Sequence, residues 1–233
     1  MPHSAAFEPV RTLAIGDIHG CNRALNQVLA QVNPLSTDRL VFLGDYVDRG
    51  PASRGVIDSL LKLRARSSCV FLRGNHEVMM LDARANFADA DGWRCCGGNE
   101  TVLSYGSDFG EDWESAIPKS HWQFVESTTR YLETEDHLFV HACLDPELDL
   151  ADQPDWVIFW QFFTWMRPHK SGKRVICGHS FRPAGPTQDI QDMEFAICID
   201  TGAAYGGWLT CLDVHSGQYW QANEKGAKRS GAL

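Results

Sequence analysis

The stretch Thr12-Leu13-Ala14-Ile15-Gly16-Asp17-Ile18-His19-Gly20 decides how the rest of the chain is read. A short apolar run, too short for a helix, stops at a glycine followed by Asp-x-His. Because it is continuous rather than alternating, it reads as a strand buried on both faces. The pattern recurs downstream. Leu40-Val41-Phe42-Leu43 stops at Gly44-Asp45-Tyr46-Val47-Asp48-Arg49-Gly50, and Val70-Phe71-Leu72 runs into Arg73-Gly74-Asn75-His76-Glu77. Between the first two runs, Ala24, Leu25, Val28, Leu29 and Val32 mark one face of a helix. Between the second and third, Val56, Ile57, Leu60, Leu61 and Leu63 do the same. The first 75 residues therefore spell β-α-β-α-β, the pattern of parallel strands with helical crossovers.

The remainder is less regular. A helix is expected over Val78 to Phe87, then a polar, Gly-rich loop with short helical turns from Ala88 to Gly110. His121 to Tyr131 reads as helix and Leu138-Phe139-Val140 as strand. Trp156 to Trp165 is densely aromatic; core packing is the expected role, with a groove wall as the alternative. Strands are expected at Arg174 to Cys177, Phe195 to Ile199, Trp208 to Val214 and Gln218 to Gln221. Asn223 to Leu233 is polar and small and reads as a frayed tail. With 233 residues and no repeat, linker or low-complexity block, one domain over residues 1–222 is expected, followed by a flexible tail over 223–233.

The charge balance, 21 Lys+Arg against 30 Asp+Glu, gives −9 and argues against gripping nucleic acid or an anionic membrane by bulk charge. No stretch approaches the ~18–20 apolar residues of a membrane span. The first residues lack a basic flank followed by an apolar run, so no secretory signal is readable. The eight Cys form no C-x-x-C and several sit in apolar runs, which reads as reduced, partly buried thiols in a cytoplasmic protein.

The charged residues cluster where strands end. Asp17 and His19 follow the first strand; Asp45, Asp48 and Arg49 follow the second; Asn75, His76 and Glu77 follow the third. Later, His141 and His179 also follow apolar runs. In open α/β sheets, ligands bind beyond the carboxyl ends of the strands, so all five segments deliver polar groups to one edge. A lone Asp-x-His would pass for a turn. Five such segments at successive strand ends do not. The oxygen and imidazole donors suit Mn, Fe or Zn, with Asp45 the natural bridge between two ions that could acidify a water and clamp a phosphoryl oxygen.

Gly16-Asp17-Ile18-His19-Gly20, Gly44-Asp45-Tyr46-Val47-Asp48-Arg49-Gly50 and Gly74-Asn75-His76-Glu77 resemble the three signature motifs of the phosphoprotein phosphatase family of metallophosphoesterases. His141-Ala142 and Gly178-His179 resemble its two later histidine motifs. The short length and the Gly97-Gly98 to Gly106 stretch are similar to the compact bacterial and phage members. The resemblance implies an α/β/β/α four-layer sandwich with a dinuclear metal site at the strand C-terminal ends. It implies Asp17 and His19 on one ion, Asn75, His141 and His179 on the other, and Asp45 bridging. It further implies His76 as general acid, Asp48 hydrogen-bonded to it, and Arg49 and Arg73 on phosphate oxygens. The implied chemistry is hydrolysis of protein phosphoserine and phosphothreonine, with phosphotyrosine a further candidate, by direct attack of a metal-bridging hydroxide. Two divalent ions per chain are implied, Mn first and Fe or Zn as alternatives. Phosphoprotein substrates, a monomer, and no nucleic-acid or membrane partner complete the expectation.

Some features depart from the pattern. The family's further phosphate-binding arginine after a Trp is missing in Ile158-Phe159-Trp160-Gln161-Phe162-Phe163; Arg167 is the substitute to check. Cys143 and Cys177 lie close to the histidine motifs, so redox sensitivity is weighed against inert packing. Asp200-Thr201-Gly202 resembles a family segment, with Asp200 structural or supporting the ligands. His3, His121, His137, His169 and His215 read as ordinary histidines. One rival is a related hydrolase of symmetrical diadenosine tetraphosphate, a group that tends to carry Asp in place of Glu77 and to lack Asp48. The other is an inactive binding module, which the full ligand set opposes. No Cys-x5-Arg or P-loop supports a cysteine phosphatase or an NTP-binding protein.

Overall fold

Each apolar run divides its side chains between two cores. The computed structural model describes residues 11–86, 90–108, 110, 112–181 and 189–233. Strand β1 (Thr12–Ile15) turns Leu13 and Ile15 toward helices α1 (Asn22–Val32) and α2 (Ser53–Arg64), and Ala14 toward a second sheet. Strand β2 (Arg39–Phe42) does likewise, with Leu40 and Phe42 on the helical side and Val41 on the other. Both faces are covered, so an alternating strand reads as a continuous apolar run.

Strands β1, β2 and β3 (Ser68–Phe71) pair in parallel, as the β-α-β-α-β reading expects. The same sheet continues on its other side with β10 (Trp208–Asp213), antiparallel to β1, then β11 (Gln218–Ala222) and β12 (Lys228–Ala232). The short β9 (Asp200–Thr201) also pairs with β10. The second sheet has the order β4 (Tyr131–Glu133), β5 (His137–Val140), β6 (Arg174–Cys177), β8 (Ala196–Cys198), β7 (Gln191–Met193). Its Phe139, Ile176 and Ile197 meet Ala14, Val41 and Leu212 between the sheets. Its outer residues Leu138, Val140 and Val175 pack on α7 (Asp155–Trp160) through Val157 and Ile158. Helix, sheet, sheet and helix form the expected four layers.

Three expectations need correction. Residues 223–233 are not a frayed tail. Asn223 and Gly226 make a hydrogen-bonded turn, and β12 pairs with β11 along its whole length. An edge strand needs only backbone partners and one covered face, so Lys228, Arg229 and Ser230 suit it. Within the segment expected as a loop, residues 90–104 are helical: α4 (Ala90–Trp93), a π turn over Arg94–Gly98 and α5 (Asn99–Ser104), while residues 88, 89 and 109 lie outside the described residues. Burial of Trp93 against Trp113, with ring centroids 4.9 Å apart, overrides the weak local propensity. Helix α6 spans Lys119–Glu126, and Tyr131 belongs to β4. Helix α3 covers Asn75–Ala85; Phe87 of the expected helix lies outside the described residues.

Candidate active site

Because β1, β2 and β3 run parallel, as do β5 and β6, their carboxyl ends release Asp17, Asp45, Asn75, His141 and His179 at one edge. The backbone there is contorted. His19, Asp45, Asp48, Arg49 and His179 all have positive φ, between 45° and 75°. Among the described residues only Asn33 joins them outside glycine. Each such residue costs about 1–2 kcal/mol, and strain of this kind gathers where a fold must aim a side chain. Glycines supply room: a Cβ on Gly74 or Gly178 would collide with a carboxylate oxygen of Asp45 or Asp17.

Asp45 is the hub. Its two oxygens lie 3.3 Å from His19 Nε2 and 3.4 Å from His141 Nε2. Asn75 Oδ1 lies 2.9 Å from His141 Nε2 and 3.0 Å from His179 Nδ1. The remaining nitrogen of each histidine faces a backbone carbonyl: His19 Nδ1 at Val47 O (2.9 Å), His141 Nδ1 at Leu43 O (2.8 Å), His179 Nε2 at Trp160 O (3.1 Å). Donation to those carbonyls occupies one ring nitrogen of each histidine and turns the other toward Asp45 or Asn75, the arrangement that metal-ligating histidines adopt.

The charges ask for a cation. Burial, then the charges of Asp200 and Asp45, push the Asp17 carboxyl well above its usual range. Burial raises Asp200 also. Burial works against the Asp45 carboxylate too, but His141, His76 and His19 outweigh it and hold the group well below the ordinary range. Burial and then His141 lower His179 to about 4, so its imidazole stays neutral and able to ligate. Three buried carboxylates beside imidazoles that each turn one ring nitrogen inward fit divalent metal ions. Asp17, His19, Asp45, Asn75, His141 and His179 would hold them.

Glu77 builds the platform beneath. It accepts hydrogen bonds from the backbone N–H groups of Gly74 (2.9 Å), Asp45 (2.8 Å) and Tyr46 (2.8 Å). It thereby locks the second and third motifs together at zero exposure. Burial, and next the charge of Asp45, push its carboxyl up to about 7 against those three bonds.

His76 differs from the other histidines. Its Nδ1 faces Asp48 Oδ2 at 2.6 Å, while its buried Nε2 has no hydrogen-bond partner and lines the cleft. Asp48 accepts further from Trp93 Nε1 (2.7 Å) and Thr101 Oγ1 (2.6 Å). Trp93 and Thr101 carry no motif signal; only the fold of the 90–104 segment brings them in.

The cleft measures about 630 Å³ and joins the hub to Arg49 and to exposed aromatic side chains. Arg49 NH1 lies 2.6 Å from His19 Nε2, and its guanidinium lies 5.3 Å from the Tyr205 ring centroid. Tyr205 stacks on Phe181, and Phe162 stacks on His179. The aromatic 156–165 segment is thus divided: Val157, Ile158, Phe159 and Phe163 enter the core, whereas Trp160 and Phe162 wall the cleft.

Arg73 is not brought to the cleft. Its guanidinium donates to Thr128 Oγ1 and to the carbonyls of Glu126 and Thr128, pinning the end of α6. The motif places its backbone, but Glu126 and Thr128 hold the side chain, which does not line the cleft. Arg167 is exposed and also outside, so Arg49 is the one guanidinium among the described cleft residues. Cys143 and Cys177 are fully buried, and burial pushes the Cys143 thiol up to about 11, which favours inert packing over redox sensitivity. His121 is satisfied by Tyr105 and Asp58, and His169 by Ser171 and the Leu148 carbonyl. His3 lies outside the described residues.

A family model described as calcineurin-like phosphoesterase matches residues 10–184, which include every residue of the hub. The chain belongs to the calcineurin-like phosphoesterases. Over 212 residues this phosphoesterase is 32% identical to the serine/threonine-protein phosphatase 1 of Salmonella typhimurium, spanning 86% of this chain and 90% of that protein. It is 24% identical over 224 residues to an asymmetrical bis(5'-nucleosyl)-tetraphosphatase of Anoxybacillus flavithermus, 85% of this chain and 88% of the relative. It is 32% identical over 168 residues to a symmetrical bis(5'-nucleosyl)-tetraphosphatase of a Janthinobacterium species, where it spans 64% of itself and 54% of the relative. A crystal structure of a putative diadenosine tetraphosphatase superposes with TM-score 0.66 at 22% identity, covering 96% of this chain and 95% of the other. A cold-active protein-tyrosine phosphatase of a psychrophilic Shewanella gives 0.62 at 16%, covering 94% and 80%. At such identities the structures speak for the fold. No described helix of this phosphoesterase is long and apolar enough to cross a membrane.

Proposed function

We propose that this phosphoesterase hydrolyses phosphate monoesters on protein serine and threonine, with phosphotyrosine as a further substrate. The observation that carries this reading is the His76–Asp48 pair, with His76 Nε2 free of hydrogen bonds and 3.9 Å from Asp45 Oδ2 beside the cleft. A serine or threonine alkoxide leaves poorly and needs a proton in the transition state. A nucleotide phosphate, with a second pKa of about 6, leaves without one. A buried, oriented acid is therefore worth most to a monoester of an alcohol.

The remaining groups divide the work. Arg49 would grip phosphoryl oxygens, and Tyr205 under its guanidinium would hold it over the cleft. Asp48, held by Trp93 and Thr101, would orient His76, which would pass the Nε2 proton to the leaving oxygen. Two divalent ions held by the hub, manganese in this reading, would supply Lewis acidity toward phosphoryl oxygens and a water of lowered pKa. The exposed rim of Phe162 and Tyr205, 60% and 55% exposed, leaves room for polypeptide on either side of the phosphoresidue. The named activity of the Salmonella relative agrees with this reading. It takes phosphoproteins as partners and a cytoplasmic monomer as the working form.

A second reading is a bis(5'-nucleosyl)-tetraphosphatase. The aromatic side chains Phe162, Phe181 and Tyr205 around the cleft favour it, because a base can stack on such rings. Two of the relatives also carry that name. A paired assay in Mn²⁺ separates the two. A higher kcat/KM on a phosphothreonine peptide than on diadenosine tetraphosphate is expected; a higher value on the dinucleotide overturns the protein-phosphatase reading.

A further inference from the structure

A second gathering of metal-ligating side chains lies away from the cleft. Asp136 precedes β5, His137 opens it, and His215 sits in the turn between β10 and β11. One ring nitrogen from each histidine and one carboxylate oxygen of Asp136 lie within 4.8 Å of one another. The two imidazoles meet nearly edge to face, with centroids 5.3 Å apart at 83°. His137 is 7% exposed, so its position is set by the fold, whereas Asp136 and His215 are exposed and can close around an ion.

The placement is far from catalysis. His137 begins the strand whose other end delivers His141. Four residues at ~3.3 Å each put the two about 13 Å apart. On the other sheet, His215 follows Val214, whose N–H bonds to Thr12 O at the start of β1. The group therefore bridges β5 of one sheet and the end of β10 of the other, at the edge opposite the hub. Between them lie Phe139 and Val214 of the inter-sheet core.

The donor chemistry is selective. Two imidazoles and one carboxylate suit zinc, nickel or copper, and suit magnesium or calcium poorly. Burial, reinforced by His215, lowers His137. That favours the neutral ring, which is the ligating form. Neither imidazole takes a hydrogen bond from its ring to another group among the described residues, which leaves its nitrogens available.

We propose that Asp136, His137 and His215 form an additional site for a borderline divalent ion such as Zn²⁺, tying the two sheets together at the edge opposite the cleft. Binding there stabilises the folded state by mass action and takes no part in turnover.

The test compares full-length wild type with His215→Ala and Asp136→Asn, both at exposed positions. Protein stripped with chelator is loaded with Zn²⁺, freed of excess, and its zinc counted against protein. The readout is the difference between chains, so it is independent of how many ions the catalytic hub retains. Wild type should carry one equivalent more than either variant. Zn²⁺ should raise its Tm further than it raises theirs, and Mg²⁺ should show no such difference. Turnover with Mn²⁺ should match in all three. Equal zinc content in wild type and His215→Ala overturns the proposal.

Discussion

His76 and Asp48 meet across 28 residues of sequence, with His76 Nδ1 2.6 Å from Asp48 Oδ2 and both side chains nearly inaccessible. Asp48 lies in a left-handed turn at φ 75°, and its carboxylate is fully buried among His76, Trp93 and Thr101. Water would otherwise compete for the imidazole. The pair is thus fixed before substrate arrives, which is the condition under which a proton donor acts without reorganisation.

The support of Asp48 can be tested directly. Trp93→Phe and Thr101→Val each remove one donor to the carboxylate. A hydrogen bond to a charged group contributes about 1.5–3 kcal/mol, so kcat on a phosphothreonine peptide should fall roughly tenfold or more. KM should hold, because neither residue lines the cleft. Wild-type kcat in both variants would contradict the positioning role.

Glu77 tests the platform. Glutamine offers one acceptor oxygen where three backbone N–H groups converge, and it brings an NH2 group against them. Glu77→Gln should lower unfolding stability by about 2–4 kcal/mol, read as a lower denaturant midpoint at unchanged slope. An unchanged midpoint would show that the three bonds do not hold the motifs together.

Gly97 sets the place of Arg49. It sits at φ 113° and accepts a hydrogen bond from the Arg49 N–H, and a Cβ there would stand 2.5 Å from that nitrogen. Gly97→Ala should displace Arg49 and raise KM for phosphopeptide several-fold, with a smaller change in kcat. The experiment is a Michaelis curve on folded variant protein. An unmoved KM would remove Arg49 from phosphate binding.

Protons and a bound metal ion would compete at His179. Its folded value of about 4 lies below the ordinary histidine value of about 6.5. A histidine lowered on folding contributes stability that is complete above about 6.5 and lost as pH falls through about 4. After chelation, Tm should therefore fall across that window, and His179→Asn should fall less. Chelation at pH 7 should also abolish turnover, and Mn²⁺ should restore it. Equal pH slopes in the two proteins would contradict the assignment.

The sequence exposed most of this architecture because parallel strands inside the sheet leave unbroken apolar runs, and each run ends in a candidate ligand. Asp17, His19, Asp45, Asn75, His141 and His179 were legible for that reason. Arg73 was not, because a motif fixes a backbone and leaves the side chain to its neighbours; here the carbonyls of Glu126 and Thr128 capture the guanidinium. Trp93 and Thr101 reach Asp48 from 45 and 53 residues away, and no local pattern encodes such a contact. Strand β12 was hidden because an edge strand of Lys228, Arg229, Ser230 and Gly231 carries no apolar run, and the contacts that Arg229 makes with Gln221 and Trp208 leave no local pattern.

The most direct test of the central claim is the leaving-group dependence of His76→Asn. Wild type and variant are compared on a phosphothreonine peptide and on an activated aryl phosphate that departs without a proton. Loss of a general acid costs about 10²–10⁴, so the peptide rate should fall by that factor while the aryl phosphate rate falls far less. Equal losses on the two substrates would contradict proton delivery by His76 and leave the residue a role in binding alone.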